Sequence, residues 1–273
     1  MVKTTTSYAD LGDAKLYYEV AGEGENLVLS HAGFVDSRMW DDQWDEFAKH
    51  YRVIRFDMRG FGKSDLAKVP VSRRQDLYRL LNYLDVKRAH LLGCSMSGTT
   101  VIDFALEHPE MVSSLIPVSA DPSGFEMQGE PPRYMMEMIA ASQKQDWAQV
   151  SELQIRIWVD GSFREPEEVN PRVRERAAVM NKIAVENQTW AVDMQSTDSL
   201  NPPATERLKE LTMPVLIIVG ALDHPEILRA AGLMQAGIKG AQKVIIPNGA
   251  HVPNMDNPLE FNRVVLDFLR KLR

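Results

Sequence analysis

The chain's 273 residues, 44% apolar and 25% charged, suffice to bury a sizeable core in one large domain or two small ones. A net charge of −7, with no basic run or aromatic-interleaved basic patch, argues against a nucleic-acid partner, and no segment approaches the roughly 20 apolar residues of a membrane span. The single cysteine, Cys94, cannot close an internal disulfide, the histidines lack metal-ligand spacing, and the N-terminus has no signal-peptide stretch, so a cytoplasmic protein with no metal and no cofactor is expected.

Residues 7–11 and 15–20 alternate around Gly12-Asp13 and predict an antiparallel hairpin. The continuous apolar run within residues 26–31 predicts a strand buried on both faces. It leads into His31-Ala32-Gly33-Phe34 and a helix over 37–49. Residues 52–56 form the next buried strand, ending in Asp57-Met58-Arg59-Gly60-Phe61-Gly62-Lys63-Ser64, a loop that Asp57 and Arg59 tie together by charge. A helix over 71–84, a strand over 89–94, a helix over 99–107 and a strand over 112–119 follow, the last ending near Asp121. From 121 to 204 there are only helical patterns, over 132–147, 148–158 and 171–190, punctuated by prolines. The alternation then resumes: strand 215–220, helix 225–235, strand 243–247, helix 258–272. Asn257 as N-cap and Pro258 at the first helical position mark the start of that last helix.

Apolar strands alternating with helices predict an α/β fold, a mostly parallel eight-stranded sheet with helices on both faces and an antiparallel edge. The helical stretch predicts a cap inserted between two strands: residues 1–121 form the first part of the core, 122–204 the cap and 205–273 the second part. Such an insertion lies over the carboxyl ends of the strands, where open α/β sheets bind ligands. Its Met127, Met135, Met136, Met138, Met180 and Met194, with Trp147, Trp158 and Trp190, either fill a small core of the cap or line an apolar acyl pocket. The pocket candidates are Trp158, Met135, Met138, Trp190 and Val252.

Leu91-Leu92-Gly93-Cys94-Ser95-Met96-Ser97-Gly98 puts a serine at a sharp strand-to-helix turn. That turn strains the serine backbone and demands small neighbours, here Gly93 and the Ser97-Gly98 pair, with Ser97 replacing the last glycine of G-x-S-x-G. Acyl-bond hydrolysis needs a nucleophile, a base, an acid to orient the base and donors for the oxyanion. Every candidate falls at a strand's C-terminal end: Ser95 as nucleophile, His251 as base and Asp223 as acid. Asp121 is a rival acid, and Asp223 has an alternative use as N-cap of the helix starting at Pro225. The oxyanion donors are the backbone N–H groups of Met96 and Phe34. His31 reads as structural, and Cys94 as a packed strand residue.

These motifs resemble the α/β-hydrolase family through nearly the whole chain outside the cap. Ser95, Asp223 and His251 follow that family's Ser…Asp…His order. His31-Ala32-Gly33-Phe34 is similar to its H-G oxyanion loop with an extra alanine, and residues 57–64 match its D-x-R-G-x-G-x-S loop. Among capped members the chain resembles small esterases and lactonases related to the enol-lactone hydrolases. The resemblance implies a cofactor-free serine hydrolase of small-molecule carboxylic esters or lactones. Carbon–carbon bond hydrolysis and perhydrolysis keep the same three residues and stay open, as does amide hydrolysis. A non-catalytic binding protein is the less favoured class, since such proteins commonly lose one of the three. The sequence sets no oligomeric state.

Overall fold

Strands with apolar side chains on both faces need cover on both faces, and the chain supplies it with helices. The computed structural model describes residues 2–67, 71–193 and 200–272. The strands among them are β1 (Thr4–Asp10), β2 (Lys15–Ala21), β3 (Asn26–Ser30), β4 (Arg52–Phe56), β5 (Ala89–Cys94), β6 (Val112–Val118), β7 (Leu216–Gly220) and β8 (Gln242–Ile246). They form one eight-stranded sheet in the order β1-β2-β4-β3-β5-β6-β7-β8. Pairing is antiparallel where β2 meets β1 and β4, and parallel elsewhere.

Helices α1 (Asp41–Phe47), α2 (Arg73–Tyr83) and α3 (Met96–Glu107) follow β3, β4 and β5. Between β6 and β7 lie α4 (Met135–Gln143), α5 (Trp147–Ile155), α6 (Pro171–Glu186), α7 (Thr189–Asp193) and α8 (Ala204–Arg207). Helices α9 (Pro225–Gly237), α10 (Pro253–Asp256) and α11 (Pro258–Arg270) close the chain. Period-two alternation sorts the strand side chains between two cores. Leu27, Leu29 and Leu92 pack with Trp44 and Phe47 of α1 and Phe261 and Val265 of α11. Val28 and Leu91 pack with Leu77 of α2, Val101 of α3 and Ile227 of α9 on the opposite face. Full burial of each such side chain contributes about 1.5–3 kcal/mol. No helix among the described residues is long and apolar enough to cross a membrane.

The helical insertion has a small core of its own, Met138, Ala141, Val150, Leu153, Ile157 and Val185, against which Met135, Trp147 and Trp190 pack. Met180 instead joins the main core under β3, Met127 and Met136 are exposed, and Met194 lies outside the described residues. Local chemistry shortens the predicted helices. Asp146 accepts the Gln149 N–H at 3.1 Å and so starts α5 where the pattern continued an earlier helix. The expected helix over 37–49 divides into a 3₁₀ turn, Ser37–Trp40, capped by Asp36, and then α1. Asn257 caps α11 as expected.

The loop after β4 is tied by different partners from those expected. Asp57 accepts the backbone N–H groups of Ser37 and Lys63, at 2.9 and 2.8 Å. Arg59 reaches away from it, to Asp76 at 2.7 Å and Asp13 at 2.8 Å. Burial raises the Asp76 carboxyl pKa, and the Arg59 guanidinium opposes that rise. Replacing Arg59 by Met should therefore strand a buried carboxylate and lower the unfolding free energy by about 3–5 kcal/mol, measured by urea titration. A loss under about 1 kcal/mol would class the pair with surface ion pairs.

Candidate active site

Ser95 stands between β5 and α3 with φ 56° and ψ −123°, a conformation L-residues rarely adopt. The close approach of strand and helix explains the small residues around it. A Cβ on Gly93 would lie 2.4 Å from the Ser97 carbonyl oxygen, and one on Gly98 would lie 2.3 Å from the Ala120 Cβ. The crowded positions are thus two before and three after Ser95, which leaves room for a side chain at Ser97. That hydroxyl donates to the His31 carbonyl at 2.5 Å, joining the turn to the loop after β3. The Ser95 N–H donates to the Val118 carbonyl at the end of β6, at 2.8 Å.

His31 is fully buried. Its Nε2 accepts the Met58 N–H at 2.9 Å, which leaves Nδ1–H to donate to the Ala32 carbonyl at 2.9 Å. Burial lowers its pKa below the usual 6.5. It is a structural strut, as expected, joining the loops after β3 and β4.

The loops after β7 and β8 bring two buried side chains to Ser95. His251 Nε2 lies 2.8 Å from the Ser95 Oγ, and its Nδ1 lies 2.9 and 3.1 Å from the two carboxylate oxygens of Asp223. A carboxylate only accepts, so Nδ1 carries the proton and Nε2 is free to accept from the serine hydroxyl. Asp121 does not reach His251. Thr99 Oγ1 donates to its carbonyl at 2.8 Å, and burial raises its carboxyl pKa. The N-cap of α9 is His224, not Asp223. Asp256 steadies the histidine loop by accepting the Ala250 N–H at 2.8 Å, and Arg164 of the insertion pairs with Asp256 at 3.1 Å. Cys94 is buried beneath the site, where burial pushes its thiol pKa up and keeps it protonated.

A cavity of about 240 Å³ opens above Ser95, walled by Gly33, Phe34, Met96, Gln154, Trp158 and others. The N–H groups of Phe34 and Met96 have no acceptor among the described residues, the arrangement an oxyanion needs. Trp158 sits in a π-helical turn, Arg156–Asp160, and lays its ring 4.9 Å from the His251 ring. Gly161, at φ 78°, ends that turn where a Cβ would come within 2.9 Å of Ala250. Trp158 and Trp190 wall the cavity with Ser95, while Met138 and Trp190 wall a neighbouring one of about 460 Å³. Met135 and Val252 wall neither. Met135 packs on the insertion's own core, and Val252 points into the main core beneath the His251 loop. Sequence reasoning missed Gln154 and Asn181. Asn181 Nδ2 donates to the Phe34 carbonyl at 2.9 Å and to Gln154 Oε1 at 2.7 Å, across separations no local pattern signals.

The family model described as the alpha/beta hydrolase fold matches residues 25–258. The chain belongs to that family. A pimeloyl-acyl-carrier protein methyl ester esterase of Yersinia enterocolitica is 27% identical over 268 residues, covering 94% of this chain and 98% of that one. A 2-hydroxy-6-oxo-6-phenylhexa-2,4-dienoate hydrolase of Comamonas testosteroni is 25% identical over 273 residues, covering 97% and 94%. The solved enol-lactonase of Burkholderia xenovorans superposes with a TM-score of 0.79 at 23% identity, over 97% of this chain and all of that one.

For this α/β-hydrolase, Ser97 in the place of the last motif glycine has a use, and two measurements check the strut it forms. Ser97→Ala leaves the buried His31 carbonyl without its donor and should destabilise the fold by about 1–3 kcal/mol, read by urea titration. Folding holds His31 neutral, whereas the unfolded chain takes up a proton below pH 6.5. The His31 contribution is therefore intact above that pH and lost as pH falls. Relative to His31→Gln, the wild type should lose up to about 1.4 kcal/mol of extra stability per pH unit below it; parallel pH profiles would refute the assignment.

Proposed function

We propose that this α/β-hydrolase is a serine hydrolase that cleaves carboxylic ester or lactone bonds, with residues 122–204 acting as its cap. The observation that carries this is the continuous hydrogen-bonded chain from Asp223 through His251 to Ser95, ending at a cavity with two unpaired N–H groups. His251 Nε2 takes the Ser95 proton as Oγ attacks the carbonyl carbon. The Phe34 and Met96 N–H groups stabilise the oxyanion, and Asp223 holds the imidazole tautomer and balances the imidazolium. Collapse breaks the ester C–O bond, and His251 returns the proton to the leaving alkoxide. Water, deprotonated by His251, then attacks the acyl-enzyme and releases the acid and Ser95.

The walls of the two cavities favour an ester over a carbon–carbon hydrolase substrate. A dienoate, as named for the Comamonas relative, carries a carboxylate that calls for a cation. Among the described residues, the charged side chain on these walls is an acid, Asp193, already held by Arg73 at 2.7 Å. The partner is a neutral small-molecule ester or lactone, and no step of this scheme calls for a cofactor. Stoichiometric labelling by a fluorophosphonate should map to Ser95, and Ser95→Ala and Asp223→Asn should each lower kcat by about 10⁴-fold or more on p-nitrophenyl acyl esters. Labelling at another residue, or labelling at Ser95 with no turnover of any ester or lactone, would overturn the proposal.

A further inference from the structure

The relay Ser151–Asn181–Gln154 fixes which end of each amide points where. The Phe34 carbonyl can only accept, so the Asn181 end beside it is the NH₂. Ser151 Oγ donates to the other end, Asn181 Oδ1, at 2.6 Å. The same Asn181 NH₂ reaches Gln154 at 2.7 Å, so the Gln154 atom there is its oxygen. The Gln154 NH₂ must therefore lie at the opposite end of the side chain. It has no acceptor among the described residues, although Gln154 is only 5% exposed. Nor is it sealed within the protein, because it is not among the buried polar atoms that lack a partner. Gln154 forms part of the wall of both cavities, so its side chain stands where the two adjoin.

We propose that Gln154 is a specificity-determining residue whose amide NH₂ donates to a neutral oxygen in the acyl group, between the scissile carbonyl and an apolar tail lodged in the larger cavity. This rests on the ester-hydrolase reading of Ser95. A donor with no protein acceptor at a pocket wall favours a ligand that supplies one, and discrimination against an acyl group lacking that acceptor follows. The oxygen is a keto, amide or ether oxygen, not a carboxylate. The larger cavity has no charged side chain among its described walls, and Asp193 in the smaller one is already paired with Arg73, so these walls offer a carboxylate no uncommitted cation. The tail is apolar because Met138, Ile139, Val150 and Val185 line the larger space. Trp190, like Gln154, lines both cavities.

The test is a set of p-nitrophenyl alkanoates of one chain length, plain or with a keto oxygen at successive carbons. They are compared by kcat/KM in the wild type, Gln154→Glu and Gln154→Met. Comparing oxo-to-plain ratios between enzymes cancels the intrinsic reactivity of each ester and any general loss of activity. Gln154→Glu keeps an oxygen facing Asn181 and replaces the donor by a charged acceptor, while Gln154→Met removes both without adding charge. At one keto position the wild-type oxo-to-plain ratio should exceed that of both variants by about tenfold. A wild type with no preference at any position overturns the proposal whether or not the variants fold, as does a preference that survives in both. In either case Ser95-dependent turnover of the plain esters leaves the ester-hydrolase reading standing. No turnover of any ester would overturn that reading and this proposal together.

Discussion

The strained backbone at Ser95 is the constraint to which the rest of the molecule answers. A φ of 56° on a serine is unfavourable by itself and persists only where neighbours leave no alternative. Here those neighbours are the bond from the Ser95 N–H to β6, the contact of Gly98 with Ala120 and the Ser97 hydroxyl on the His31 carbonyl. The last tie makes the turn and the loop carrying Phe34 one rigid piece. A fixed Ser95 Oγ is worth little unless the oxyanion donors are fixed relative to it.

Around this piece the charges are arranged to hold loops and layers together. The β4 loop is pinned by Arg59 to α2 and the first hairpin, and the insertion is pinned by Arg164 to Asp256, Arg176 to Asp42 and Arg73 to Asp193. Partly buried guanidinium–carboxylate pairs of this kind lock geometry more than they add net stability. What they lock is the roof over Ser95, including the Trp158 ring against His251.

The sheet and the hydrogen-bonded cluster of Ser95, His251 and Asp223 were legible because their signals are local. Two-sided burial makes β3, β5 and β7 continuous apolar runs, and the sharp turn forces small residues within three positions of Ser95. Asp223 and His251 stand out because each lies in the short loop after a strand. Partners set by tertiary packing were not legible. Arg59 sits beside Asp57 in sequence yet pairs with Asp13 and Asp76, because the loop turns its side chain outward from β4. The same periodicity that marks helices in the insertion cannot say which methionine faces a cavity: Met138 does, while Met135, three residues earlier, does not. Gln154 and Asn181 carry no motif. They are found only by following hydrogen bonds from the Phe34 carbonyl outward.

The bond from Asn181 to the Phe34 carbonyl has an evolutionary corollary. The helix that walls the larger cavity through Ala184 and Val185 grips the same residue whose unpaired N–H stands at the smaller one. Any change in α6 that reshapes that wall and moves Asn181 also acts on the peptide unit that follows Phe34. The shape of the larger cavity and the placement of the Phe34 peptide are thereby inherited together, since one helix is tied to both.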